Sequence, residues 1–212
     1  MRIIHISDTH TKHEELILPE GDMIIHSGDF SGSLASGYCF FEWFEGLDYK
    51  YKILVAGNHD SILAMHNNVK EKQMELAKRG IIYLEDSSIE IEGIKFHGSP
   101  WTLNYGNYNF MCSEQQIAFY WEKIPNDTNI LITHSPAFGI LDVAPDKTGL
   151  KNLGSSSLRY KAESLKDLKY HLIGHIHEGY GIDKGDDYTT INSSIFILKG
   201  KLRKPHVFDV VI

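Results

Sequence analysis

Five times along this chain a short apolar run breaks off into residues that bind metals or move protons. Residues 2–7 lead into Asp8-Thr9-His10, residues 22–27 into Gly28-Asp29, and residues 51–55 into Gly57-Asn58-His59-Asp60. Residues 130–133 then lead into His134, and residues 170–173 into Gly174-His175-Ile176-His177. Short runs rich in Ile, Leu and Val, bounded by small or polar residues, read as buried strands. In open α/β sheets the working groups lie just past the carboxyl ends of strands, where backbone pairing stops and side chains converge. Singly, each motif has an ordinary reading as a cap, a turn or loop residue; five in one chain point to a shared pocket.

The remaining pattern fits a layered α/β architecture, two packed sheets with outer helices. Phe40, Phe41, Trp43, Phe44 and Leu47 recur at helical spacing, which predicts a helix over 36–47. Further helices are expected over 69–79, over 113–123 with Ser113 as N-cap, and over 157–165. Strands are expected at 81–84, 89–91 and 94–97, with Glu92-Gly93 as a tight hairpin turn, and at 188–192, 196–198 and 206–212. Residues 99–110 and 137–157 read as loops, the first aromatic and Asn-rich. With no repeat, low-complexity tract or linker composition, the reading is a single domain over 1–212.

Composition narrows the function. Twenty-one Lys and Arg against 28 Asp and Glu leave a net charge of −7, which argues against binding long nucleic acids. A small phosphate ester stays open, since bound dications reverse the sign of an acidic pocket. Cys39 and Cys112 form neither a disulfide framework nor a thiolate metal motif, so a reducing, cytoplasmic setting is expected. No signal peptide is read at the N-terminus, and no run approaches a membrane span. Asp8/His10 and His175/His177 are each two apart, which in extended chain puts them on one face. Carboxylate, imidazole and amide donors without cysteine favour manganese first, with iron or zinc as alternatives. Seven such groups suit two divalent ions, with the two oxygens of Asp29 as the natural bridge.

The ordered set Asp-x-His, Gly-Asp, Gly-Asn-His-Asp, Thr-His, Gly-His-x-His resembles the calcineurin-like metallophosphoesterases. His26-Ser27-Gly28-Asp29-Phe30, Tyr83-Leu84-Glu85-Asp86-Ser87, Gly98-Ser99-Pro100-Trp101 and 174–181 resemble the branch of metallophosphoesterase-domain-containing proteins. The resemblance implies a four-layer α-β-β-α sandwich. It implies one ion on Asp8, His10, Asp29 and His177, a second on Asp29, Asn58, His134 and His175, and His59 beside them without binding either; a general-acid role is the expectation for His59. Phe30-Ser31-Gly32-Ser33 supplies neither the carboxylate nor the arginine that phosphoprotein phosphatases carry after Gly-Asp, so that activity is disfavoured. The expected reaction is phosphodiester hydrolysis by a metal-bridging hydroxide, with cyclic nucleotides (2′,3′ or 3′,5′) as candidates. A phosphomonoesterase and a non-catalytic nucleotide- or protein-binding member are the alternatives. Trp101, in a loop with Tyr105 and Tyr108, and Asn192 are the candidate substrate contacts. His97 and the six other histidines outside the motifs are read as structural.

Overall fold

The computed structural model describes residues 1–65, 67–146, 149–197 and 201–210. His66, Leu198 and the last two residues of the expected terminal strand lie outside them. In chain order the first elements are β1 (Arg2–Ile6), β2 (Met23–Ser27), α1 (Leu34–Glu45), β3 (Tyr51–Val55), α2 (Ser61–Ala64), α3 (Val69–Ala77) and β4 (Ile82–Tyr83). There follow β5 (Ser87–Ile91), β6 (Ile94–Ser99), β7 (Thr102–Leu103), β8 (Met111–Cys112), α4 (Glu114–Glu122) and β9 (Ile130–Thr133). The rest is β10 (Val143–Asp146), β11 (Gly149–Asn152), α5 (Ser156–Ser164), β12 (Tyr170–Ile173), β13 (Gly181–Lys184), β14 (Thr189–Asn192), β15 (Phe196–Ile197), β16 (Lys201–Leu202) and β17 (His206–Asp209).

Two sheets organise these elements, one ordered β17-β1-β2-β3-β4 and the other β13-β14-β12-β9-β6-β5. The inner pairings β1–β2, β2–β3, β6–β9, β9–β12 and β12–β14 are parallel, while β17, β13 and β5 join antiparallel at edges. Alternation along each strand sorts side chains into layers, because successive residues face opposite sides of a sheet. Ile3, Met23, Ile25, Ile53 and Val55 pack against Phe96, Ile130, Ile132, Leu172 and Ile191 of the other sheet. Their neighbours Ile4, Ile24 and Leu54 turn outward onto Phe40, Phe41 and Phe44 of α1, Ile62 of α2 and Leu76 of α3. Leu131 likewise faces Ile117 and Trp121 of α4 and Leu158 and Ala162 of α5. The result is the four-layer α-β-β-α sandwich.

Local chemistry explains where elements begin. Ser33 forms a capping box with Ser36, so α1 starts two residues before its apolar stripe suggests. Ser113 caps α4 through Gln116, as expected. Glu92 and Gly93 both adopt positive φ (50° and 77°), the backbone a tight hairpin demands. The 137–157 segment departs from the expected loop by forming the β10–β11 hairpin. Its neck is drawn together by buried Asp142, which accepts from Gly139 N–H (3.0 Å), Gly154 N–H (2.9 Å) and Asn152 Nδ2 (2.6 Å). All of β11 is exposed, so it lacks the apolar alternation that marks a strand.

Candidate metal centre

Each of the five turns leaves a strand at its carboxyl end, and the backbone locks the turns to one another. Asp8 N–H donates to Gly28 O (2.8 Å), His10 N–H to Asp29 O (3.0 Å) and Gly174 N–H to His134 O (3.2 Å). Asp8, His10, Asp29 and His175 all sit at positive φ (53°, 41°, 59° and 68°). Left-handed backbone at a non-glycine residue costs energy and persists where surrounding structure enforces it, which is common at functional sites. The glycines before the ligands permit the close approach. A Cβ at Gly57 would fall 2.6 Å from Asp29 N and 2.7 Å from His134 Cε1, and one at Gly174 would fall 2.9 Å from Ser7 Cβ.

The side chains converge as two donor trios: Asp8, His10 and His177, and Asp29, His134 and His175, with the ligand atoms of each trio within 4.8 Å of one another. In the first, His10 Nε2 and His177 Nε2 lie 3.2 Å apart, and Asp8 Oδ1 is 3.3 Å from His177 Nε2. Asp8 Oδ1 is buried with no hydrogen-bond partner among the described residues, while Oδ2 accepts from Ser194 Oγ and His175 N–H (2.9 Å each). An orphaned carboxylate oxygen facing two imidazole nitrogens fits a bound cation. In the second trio, His134 donates Nδ1–H to Ser27 O (2.8 Å), which turns Nε2 toward Asp29 Oδ1 (3.3 Å) and Asn58 Oδ1 (3.2 Å). Such a second hydrogen bond is how metal-ligating histidines are oriented.

Asp29, itself in the second trio, also faces the first. Its Oδ1 faces His134, and its Oδ2 lies 4.0 Å from His10 Nε2 and 3.9 Å from His59 Nε2. Burial works against the Asp29 carboxylate, yet His134 outweighs it and holds the pKa at about 2. Burial also disfavours a charged His134, but Asp29 raises it to about 9. His175 is pushed down to about 3 by burial, with His134 adding to the effect. A proton on His134 thus balances the Asp29 carboxylate, and a cation bound there would take that proton's place.

His59 borders this centre. Its N–H donates to Asp29 Oδ1 (2.8 Å), and its ring meets His10 edge-on (5.2 Å) and Tyr108 at a tilt (4.7 Å). Among the described residues no carboxylate hydrogen-bonds the His59 ring. The other two candidates are placed in the scaffold. Trp101 donates Nε1–H to Asp86 (2.9 Å) and stacks on Tyr120 at 4.0 Å, so the indole anchors its loop, while Tyr105 meets His175 and Tyr108 meets His59. Asn192 is buried, donates to Ile176 O (2.9 Å) and accepts from Ser194 N–H (2.9 Å), which braces the His175–His177 turn. His97 bonds Ser88 Oγ (2.8 Å), and His171 bonds Thr133 Oγ1 (2.8 Å).

Two residues assume roles that the motif reading left unassigned. Asp60 Oδ2 accepts from Asp29 N–H and Gly57 N–H (2.8 Å each), and its Oδ1 accepts from Ser31 N–H (2.9 Å), so one buried carboxylate ties two ligand turns together. Its place at the end of Gly57-Asn58-His59-Asp60 was the available signal. Ser194, which fixes Asp8, sits in no motif and had none.

A two-sheet sandwich holding paired oxygen and imidazole donors at its strand ends is the arrangement of a metallophosphoesterase. Residues 1–179 match the calcineurin-like phosphoesterase family, and the chain belongs to that family. The family uses a dinuclear divalent metal centre, for which the two trios are the candidate ligands. The chain is 32% identical over 216 residues to human metallophosphoesterase domain-containing protein 1, covering 92% of this chain and 66% of that protein. It is 34% identical over 229 residues to UPF0046 protein C25E10.12 of Caenorhabditis elegans, covering 99% of this chain and 81% of that one. The crystal structure of TT1561 of Thermus thermophilus shares the fold at a TM-score of 0.62 and 13% identity, covering 92% of this chain and 90% of that one. Among the described residues no helix is long and apolar enough to cross a membrane.

Proposed function

We propose that this chain hydrolyses phosphodiesters on a pair of divalent cations, manganese being the first choice, and that cyclic nucleotides are its substrate class. The observation that carries this reading is Asp29 facing both trios, one oxygen toward His134 and the other toward His10 and His59. The first cation would be held by Asp8, His10, Asp29 and His177, the second by Asp29, Asn58, His134 and His175. Two such cations would offset charge on the phosphoryl oxygens and would lower the pKa of a water so that it could lose a proton and serve as the nucleophile.

The chain's own residues supply the rest. His59 is a third exposed at its side chain and close to Asp29 without belonging to either trio, so its imidazole is free to give a proton to the departing oxygen. Tyr105 and Tyr108, exposed and 5.5 Å apart at their ring centroids, border the centre beside His175 and His59 and offer aromatic surface to a base. Both cysteines are free, which suits a reducing, cytoplasmic setting. The test is manganese-dependent hydrolysis of bis(p-nitrophenyl) phosphate against p-nitrophenyl phosphate, followed by a panel of cyclic nucleotides. Faster turnover of the diester is the expected result. Turnover of the monoester alone would reassign the enzyme as a phosphomonoesterase, and turnover of neither with manganese bound would make it a binding protein.

A further inference from the structure

The loop after Trp101 holds Asn58 by three hydrogen bonds. Asn109 donates both its backbone N–H (3.0 Å) and Nδ2 (3.2 Å) to Asn58 O, and Asn58 Nδ2 donates to the Tyr105 hydroxyl (3.1 Å). Because the phenol oxygen accepts in that bond, its own proton is left for another partner, and a phenol keeps that proton near neutral pH. No acceptor for it is recorded among the described residues. The Tyr105 ring lies 5.4 Å from that of His175, and the residue is 60% exposed, so the hydroxyl stands at the mouth of the ligand cluster. Around Asp8, Asp29, Asn58 and His134 the hydrogen bonds and ion pairs bring in imidazoles, hydroxyls, the amides of Asn58 and Asn109, the Asp60 carboxylate and backbone groups. A phosphoryl oxygen arriving here therefore meets Tyr105 as a ready neutral donor.

We propose that Tyr105 contacts substrate, its hydroxyl held by the Asn58 amide and donating its proton to a non-bridging phosphoryl oxygen. This rests on the hydrolase reading above and adds to it the group that grips the phosphoryl oxygen. Its removal weakens the enzyme without emptying the centre, since the hydroxyl bonds the Asn58 amide nitrogen and leaves Asn58 Oδ1 facing His134.

The experiment compares the full chain with Tyr105→Phe, both loaded with manganese. Inorganic phosphate affinity is read by calorimetry, manganese content by elemental analysis, and kcat and KM on bis(p-nitrophenyl) phosphate. A hydrogen bond to a charged acceptor predicts that phosphate affinity and kcat/KM both fall roughly 10- to 100-fold, with manganese content and melting temperature unchanged. Phosphate affinity within about twofold of the parent overturns the proposal, the bond being worth roughly tenfold or more. Loss of manganese overturns it too, since Tyr105 would then serve only to hold Asn58. If the parent binds phosphate but hydrolyses neither ester, the hydrolase reading falls and the phosphate affinities alone decide Tyr105. A parent that binds no phosphate overturns both.

Discussion

Asp29 has two oxygens with different neighbours, and His59 touches the same carboxylate twice, through its backbone N–H (2.8 Å) and across 3.9 Å from its ring. That contact fixes where the imidazole stands without placing it in either trio. Replacing His59 with Asn should therefore keep metal content while turnover falls roughly 10²- to 10⁴-fold, as expected for loss of a general acid. Elemental analysis beside steady-state kinetics checks this, and near-normal rates on a diester with a poor leaving group would remove the general-acid role. The ligand residues were legible because each lies within a few residues of the end of one of five strands, so a local pattern announces it. Asp60 was harder to read: its carboxylate folds back onto Asp29 N–H, 31 residues away, and no local rule foretells that bond. Trp101 and Tyr105 show the same limit. Both are aromatic and share a loop, and contacts distant in sequence, Tyr120 under Trp101 and Asp86 on its indole nitrogen, separate the anchored ring from the one beside His175.

The loop itself depends on an anchor. Asp86, at positive φ (46°), accepts from Ser99 Oγ (2.7 Å) and Trp101 Nε1 (2.9 Å) and so pins the point where β6 gives way to the aromatic segment. Asp86→Ala leaves two donors without their partner and should cost about 2 kcal/mol of stability in a urea titration. It should also raise KM, because Tyr105 and Tyr108 hang from that anchor. Unchanged stability would mean that stacking on Tyr120 alone holds the loop. Strands and helices with strong apolar periodicity were readable to within a few residues. The β10–β11 hairpin was not, since Pro145 and Gly149 look like loop and all of β11 is exposed.

For the whole molecule, two buried histidines predict a loss of stability toward acid. Burial pushes His171 down to about 3, and burial aided by the charges of Lys161 and Lys95 pushes His97 down to about 4. Both are neutral in the fold, whereas the unfolded chain takes up their protons below about 6.5. Their contribution is whole above that pH and shrinks as pH falls toward the folded values, by about 1.4 kcal/mol per unit for each group. Urea unfolding at pH 7, 6 and 5 should show this loss, and His171→Gln should flatten it by one group's share. An unchanged slope would mean that His171 protonates within the fold.

The same scale governs the chemistry. Asp8, His10, Asp29 and Asn58 leave the first sheet, and His134, His175 and His177 leave the second, so each trio is assembled across the interior packing of Ile25, Val55, Phe96 and Ile132. The centre thus works as a gauge of alignment between two slabs. A defect far from any ligand that lets one slab creep past the other would silence the protein while its strands, helices and solubility still look sound.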